Sequence, residues 1–365
     1  MKAQNASINI AILRLSSLGD VIVGACVLPF VRAHLSEKYP QGVRLHWIVD
    51  STFGAVLEDS PCIDNLISIP LKNGGIKAIP HIMAQLQNLE PFDILIDMQG
   101  LIKSALCGMM SKKSAFWGFA WDSIKEPLAS LCYTHKVHIS YSEHILKRNL
   151  TLVNAALEIK EESKDIFYAN RAQAFGVSKQ AREQVESILA EASVQNGVNG
   201  ANKGDCINIL LVLEASLESK SYPVDLFIEV IREFLESHPL ARILLIQHGT
   251  DKAQRIKEHF KADNQVVLLP PISMGALKAL MQEVNLVIGG DTGVTHLAWA
   301  MQRASLTLYG NTPPQRFALN SPINRFLCGS ENPNYKKDDF SIARIAPHTI
   351  CACAREILDT ARITK

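Results

Sequence analysis

Apolar runs alternate with helically periodic segments along almost the whole chain, a βαβ rhythm that restricts it to α/β architectures. In the first half, Ile8 to Leu15 (INIAILRL), Leu45 to Val49 and Ile94 to Ile96 read as strands, and Val21 to Leu35 carries helical spacing. The second half repeats the pattern. Ile207 to Leu213, Ala241 to Ile246 and Val266 to Leu269 read as strands, separated by helices from Val224 to Glu236 and near Lys252 to Phe260. Ser273 to Val284 is the next helix, and Pro347 to Arg362 closes the chain as another. Between the halves, Lys179 to Ala192 is helical, while Ser193 to Asp205 (SVQNGVNGANKGD) is rich in Gly and Asn and reads as a flexible connection. At 365 residues the chain suits two domains of the usual size, roughly 100 to 200 residues each.

A hydrophobic share of 47% with 20% charged residues provides an ample core. The formal net charge of +1 creates no global field to recruit nucleic acid or membrane. Locally the balance differs. Between residues 101 and 148 the bases Lys103, Lys112, Lys113, Lys125, Lys136, Lys147 and Arg148 outnumber the acids Asp122, Glu126 and Glu143, which fits either an anion-binding face or a solvated one. The aromatic run Phe116 to Trp121 follows two of those lysines and either packs on the sheet or touches lipid or sugar. Eight cysteines lack zinc spacing; Cys26 and Cys107 sit in apolar stretches, and Cys351 and Cys353, two apart on a helix, point to different faces. A reduced compartment without a structural metal is therefore expected. The N-terminus enters a strand without a secretory signal, and no apolar run approaches the roughly 18 residues of a membrane span. Neither Gly-x-Gly-x-x-Gly nor a Walker A pattern follows any strand.

Two junctions carry the candidate chemistry. Val284 to Ile288 is an apolar strand that breaks at Gly289-Gly290-Asp291-Thr292-Gly293 and continues as a helix through Leu297 and Met301. Unpartnered amides and the dipole at a helix start attract anions, and glycines let a phosphate approach the backbone. An N-capped helix, with Asp291 or Thr292 as the cap, fits the same residues. The second junction is Ser16-Ser17-Leu18-Gly19-Asp20 after the first strand, where Asp20 is again either functional or a cap. Polar loops at strand ends in two domains suggest a cleft with one substrate on each side.

In chain order, Ser16-Ser17-Leu18-Gly19-Asp20, Asp97-Met98-Gln99-Gly100-Leu101-Ile102-Lys103-Ser104-Ala105, Lys220-Ser221-Tyr222-Pro223 and Gly290-Asp291-Thr292-Gly293-Val294-Thr295-His296 resemble the motifs of bacterial lipopolysaccharide heptosyltransferases, the ADP-heptose glycosyltransferases. The likeness spans nearly the whole chain, and Asp-x-Gln-Gly-Leu-Ile-Lys-Ser with Lys125 to Leu131 favours their type I branch. The resemblance implies a GT-B architecture, two Rossmann-like domains facing a central cleft. It divides the chain into an acceptor domain (1–178), a connecting helix and linker (179–206), an ADP-heptose domain (207–346) and a final helix (347–365) that packs back on the first domain.

The reaction implied is inverting transfer of L-glycero-D-manno-heptose from ADP-heptose to 3-deoxy-D-manno-octulosonic acid (Kdo) on lipid A, in the lipopolysaccharide inner core, with no metal or cofactor. A related transferase acting on a later core sugar and a non-catalytic nucleotide-sugar binder are the alternatives. By the same resemblance Asp20 is the catalytic base and Lys220 the cation that meets the leaving diphosphate. Ser216, Asp251, Ile272, Asp291, Thr292, Gly293 and His296 complete the donor site, with Asp251 on the ribose, Ile272 against adenine and His296 either a ligand contact or a packing residue. Lys72, Gln99, Lys103 and Lys125 hold the acceptor. The chain departs from the family at Ser216-Leu217, where a pair of threonines is usual and the loop to Lys220 is a residue shorter; Tyr222 replaces a Trp with little consequence. A cytoplasmic location, peripheral at the inner membrane, completes the expectation.

Overall fold

The computed structural model describes residues 7–160, 164–195 and 207–363. The chain divides into two compact units, Met1–Gly176 and Val177–Lys365. Among the described residues each unit is built on one six-stranded parallel sheet. In the first, β1 (Ile8–Leu13), β2 (Val43–Asp50), β3 (Asn65–Ile69), β4 (Phe92–Asp97), β5 (Lys113–Phe119) and β6 (His135–Val137) lie in the order β3-β2-β1-β4-β5-β6. In the second, β7 (Ile207–Val212), β8 (Ala241–Ile246), β9 (Val266–Leu269), β10 (Leu286–Gly290), β11 (Ser305–Tyr309) and β12 (Asn324–Cys328) lie in the order β9-β8-β7-β10-β11-β12. The two orders are the same. In each, the winding reverses between the first and fourth strands, and open α/β sheets place ligands in the crevice beyond the carboxyl ends of such a pair. The pairs are β1 with β4 and β7 with β10.

Strand position explains the sequence. β1 and β7 are buried at every residue because helices cover both faces of a central parallel strand, which demands an unbroken apolar run. The helix Val224–Ser237 instead needs one apolar stripe, and Phe227, Val230, Ile231 and Phe234 supply it at helical spacing.

The segment expected as one helix from Val21 is two, Leu18–Ala25 and Leu28–Lys38, with Pro29 tolerated in the first turn of the second. Taken together, Leu18–Lys38 spans 21 residues and holds an 18-residue stretch with a mean hydropathy of 1.6, long and apolar enough to cross a membrane, which corrects the expectation that no run is. Its apolar side chains, among them Val21, Ile22, Val31 and Leu35, are buried within the first unit.

Two boundary expectations also change. The helix Lys179–Gln195, expected as a connection, is part of the second unit: Ala181, Val185 and Leu189 are buried, and the Leu189 carbonyl accepts from Arg242 Nη1 at 3.3 Å. Residues 196–205 of the expected linker lie outside the described residues. The final helix Pro347–Ile363, expected against the first domain, buries Ile350, Cys351, Ala354, Ile357 and Leu358 in the second unit's own core with Phe227, Ile231 and Leu306. At roughly 1.5–3 kcal/mol per fully buried aliphatic side chain, that stripe commits the helix where it lies. Cys351 is buried and Cys353 half-buried, as their spacing required, and the seven described cysteines are free thiols.

Candidate functional site

In the first unit the crevice between β1 and β4 is organised by a buried guanidinium. Arg14, one residue beyond β1, is only 6% exposed, and a charge so placed must be paired. It donates through Nη1 to the Met98 carbonyl beyond β4 and through Nη2 to Asp20 Oδ1 at 2.7 Å. Asp20 is the third residue of the helix Leu18–Ala25, and its Oδ2 accepts from the Ser17 amide at 3.1 Å and the Ser17 hydroxyl at 3.0 Å. It therefore does cap the helix, but one of its two carboxylate oxygens is given to Arg14. Burial pushes the Asp20 carboxyl upward, yet the Arg14 charge and the Ser17 bonds outweigh it and hold the group below the usual carboxylate range. The side chain remains 36% exposed. The result is an ionised, oriented carboxylate open to solvent on a strand-end loop.

The end of β4 supports that loop. Asp97 is fully buried and accepts from the Gln99 and Gly100 amides, from Ser104 Oγ at 2.7 Å and from the Tyr133 hydroxyl at 2.8 Å. Burial dominates these bonds and raises its pKa. Gly100 turns the chain at φ +68, where a Cβ would also lie 2.6 Å from Ile124. Gln99, expected to touch the acceptor, has its amide committed elsewhere. Its Oε1 accepts from the Leu15 and Ser16 amides at 2.7 and 3.3 Å, and its Nε2 donates to Ser16 Oγ at 3.2 Å. Gln99 thus clamps the Asp20 loop to β4. Lys103 Nζ donates to the same Ser16 hydroxyl at 3.0 Å and is otherwise exposed. Lys125 is exposed on a neighbouring turn whose Glu126 accepts from the Ile102 amide at 2.8 Å. Lys72 follows β3, its amide donating to Asp50 at 2.6 Å and its ammonium lying 5.2 Å from the Phe53 ring centre.

In the second unit the crevice between β7 and β10 brings together Lys220, Asp291, Thr292, Gly293 and His296. A short turn, Glu218–Lys220, delivers Lys220 Nζ to Asp291 Oδ2 at 2.6 Å, so the shortened loop still places the cation. Gly289 and Gly290 serve packing rather than phosphate approach, against the sequence expectation. A Cβ on Gly290 would lie 2.0 Å from the Lys220 carbonyl oxygen, and one on Gly289 would lie 2.5 Å from Val212 Cβ. The two glycines let β10 and the Lys220 turn close on each other. Thr292 is the N-cap of the helix Gly293–Ala300, its hydroxyl accepting from the Thr295 amide at 3.4 Å.

His296 is 7% exposed and both ring nitrogens are engaged, Nε2 with Asp291 Oδ1 at 3.1 Å and Nδ1 with the Trp299 indole at 3.0 Å. An indole N–H only donates, so Nδ1 accepts and Nε2 carries the proton toward Asp291. His296 accordingly holds Asp291 in place. Burial acts to raise the Asp291 pKa, but the hydrogen bonds from His296 and Lys220 and the Lys220 charge outweigh it and hold the carboxylate far below its usual range. Trp299→Phe removes the fixed donor and leaves a buried acceptor unmet, a cost of about 1–3 kcal/mol. If Asp291 addresses the sugar, as the sequence resemblance implies, calorimetry should then show weaker binding of ADP-heptose but unchanged binding of ADP.

The remaining residues expected at the donor site stand on other loops at the same carboxyl edge. Ser216 is exposed just beyond β7, Asp251 begins the helix Lys252–His259 after β8, and Ile272 is half-buried after β9. Glu214, not anticipated, accepts from the Thr250 amide at 3.2 Å and hydroxyl at 2.6 Å, tying the loop after β7 to the loop after β8. Arg14 and Trp299 were also missed; only an arginine inside an apolar run hinted at the first. Tyr222 matters more than expected: it is fully buried and its hydroxyl donates to the Ile345 carbonyl at 2.6 Å.

The sequence profile of glycosyltransferase family 9 (heptosyltransferase) matches residues 82–349. Lipopolysaccharide heptosyltransferase 1 of Campylobacter coli is 30% identical over 356 residues, covering 95% of this chain and 98% of its own length. The protein of the same name from Escherichia coli K12 is 25% identical over 315 residues, 84% of this chain and 88% of its own. Among solved structures, E. coli heptosyltransferase WaaC with ADP-2-deoxy-2-fluoro heptose superposes with a TM-score of 0.72 at 21% identity, over 96% of this chain and 99% of that one. The glycosyl transferase family 9 structure from Veillonella parvula gives 0.73 at 16%, over 98% of each chain. At such identities the structural likeness establishes the fold.

Proposed function

The chain belongs to glycosyltransferase family 9, the heptosyltransferases, and on that premise we propose that it moves L-glycero-D-manno-heptose from ADP-heptose to a Kdo residue of Kdo-bearing lipid A, in lipopolysaccharide inner-core synthesis. The observation that carries this reading is the Lys220 ammonium, held 2.6 Å from Asp291 next to the start of the helix Gly293–Ala300. A departing diphosphate needs a fixed cation and unpartnered amides where its charge grows, and both are supplied here without rearrangement.

In the transfer, the acceptor oxygen bonds to the anomeric carbon as the bond from that carbon to the β-phosphate oxygen breaks, so the configuration inverts. The acceptor proton passes to the Asp20 carboxylate and from there to solvent. The electron pair of the broken bond leaves on ADP, opposite Lys220 and the helix amides. Asp291 keeps a free lone pair on each oxygen for heptose hydroxyls, oriented by His296. Glu214, Thr250 and Asp251 suit the ribose, Ile272 the adenine, and Ser216 a phosphate oxygen. Lys72, Lys103 and Lys125 suit the Kdo carboxylates, without the bidentate fork an arginine would offer. Peripheral attachment at the cytoplasmic face of the inner membrane fits such an acceptor.

The test is an assay with ADP-heptose and two acceptors, one ending in Kdo and one already bearing a heptose, with and without excess chelator. Turnover is expected on the first acceptor alone and unchanged by chelator. Reaction only on the second would assign a later core sugar, and tight ADP-heptose binding without turnover would make the protein a binder. Loss of activity in chelator, restored by divalent metal, would overturn the leaving-group chemistry.

A further inference from the structure

We propose that the outward face of the helix Ile102–Met110 and the adjoining turn Pro127–Cys132 form the surface by which this chain docks on an anionic lipid bilayer. Ile102, Leu106 and Met109 are 39%, 49% and 53% exposed and recur at the spacing of a single helical stripe, while Ala105, Cys107 and Gly108 face inward. Leu128 and Leu131, at 57% and 66%, stand on the turn packed against that helix, and Trp121, at 52%, on the turn next to it. Scattered apolar side chains on a surface are ordinary, whereas a contiguous set marks an interaction site.

Charge identifies the occupant. Lysines bracket the stripe at both ends. Lys103 lies in the helix's first turn, and Lys125 adjoins the Glu126 that binds the Ile102 amide. At the far end stand Lys112 and Lys113, the latter donating to the carbonyls of Met109 and Ser111 at 3.3 and 3.0 Å. A bilayer with acidic headgroups presents anions on every side of an inserted apolar stripe; Leu and Met suit the acyl boundary, Trp the headgroup level and Lys the phosphates. The stripe also starts beside the loop of Asp20, since Lys103 reaches Ser16. The docked surface therefore delivers a lipid-borne acceptor to that loop. This last step rests on the acceptor reading above, whereas the docking itself does not.

Sedimentation of the full chain with vesicles tests the proposal. Binding is expected to vesicles of equal parts phosphatidylglycerol and phosphatidylcholine, to fall with added salt, and to be weak with phosphatidylcholine alone. The double variant Leu106→Glu/Leu131→Glu should bind at least roughly tenfold more weakly, and Lys112→Glu roughly fivefold. Because these positions are exposed, melting temperature and ADP binding should match the unsubstituted protein. Leu106→Trp should keep binding and add an emission component that shifts to the blue on the anionic vesicles alone. In all variants turnover of a water-soluble, deacylated Kdo acceptor should be unchanged, while turnover of the vesicle-borne acceptor falls with binding. Equal affinity for both vesicle types, vesicle binding by the double variant equal to that of the unsubstituted chain, or an added emission in Leu106→Trp that does not shift would each overturn the docking surface. Failure of the unsubstituted chain to use the soluble acceptor would instead sink the acceptor reading and leave the vesicle result standing.

Discussion

Asp20→Asn is expected to cut turnover on the order of 10²- to 10⁴-fold, the usual range for a lost general base, while ADP binds as before. The variant should also be less stable. If its carbonyl oxygen keeps the bond to Arg14, its NH₂ group faces the Ser17 amide, donor against donor, where Oδ2 now accepts, while the Ser17 hydroxyl can turn to accept. An unmet group of that kind costs about 1–3 kcal/mol, toward the lower end for a side chain this open to solvent. Turnover must therefore be measured well below the lowered melting temperature. The pH profile adds an independent check. Because Arg14 and Ser17 lower the folded-state pKa, the pairing contributes stability above the unfolded value of about 3.9 and loses it as pH falls through the folded one. An acid limb due to Asp20 should accordingly lie below about pH 4. Near-normal turnover in Asp20→Asn would return the residue to helix capping alone.

The arrangement of central strands was legible in the sequence because a parallel strand covered on both faces must be apolar throughout. β1, β7 and β8 meet that condition almost to the residue. β6 (HKV) and β12 (NRFLC) do not, since edge strands stay open on one side and tolerate polar residues. β11 (SLTLY) is fully buried yet escaped notice because Ser305 and Thr307 break its apolar run.

The candidate site was legible where its polar residues sit in one short stretch at a strand end, as with Asp20, Asp291 and Thr292. It was not where the partner comes from a distant strand. Arg14 meets Met98 and Glu214 meets Thr250 only because the sheet order brings those strand ends together, and no local pattern carries that information. The same limit produced the misreading of Gly289 and Gly290: a glycine required by a ligand and one required by a neighbouring backbone look alike until Val212 and the Lys220 carbonyl are in view.

On the proposed chemistry, in which the Lys220 charge faces the leaving group, Lys220→Ala should weaken ADP binding by roughly 10- to 100-fold, the loss of one charge-assisted bond at about 1.5–3 kcal/mol, and slow turnover further. A competing explanation has to be separated. Lys220 also neutralises Asp291, whose side chain is 9% exposed, so its removal leaves a buried carboxylate supported by the His296 Nε2–H hydrogen bond without a neutralising charge. Breaking such a pair is destabilising by up to about 3–5 kcal/mol, reduced here because Lys220 itself is 23% exposed. Any loss of ADP affinity could then reflect a negative charge turned against the diphosphate. Asp291→Asn removes that charge. In the Asp291→Asn background, Lys220→Ala should still weaken ADP binding by a comparable factor if the ammonium meets the phosphates directly. If it acts only by shielding Asp291, the second substitution should change nothing. Calorimetric titration of ADP into the unsubstituted protein, both single variants and the double variant reads the coupling directly. An ADP affinity that is insensitive to Lys220 once Asp291 is neutral would remove this lysine from the diphosphate site and reduce it to a structural partner of the carboxylate.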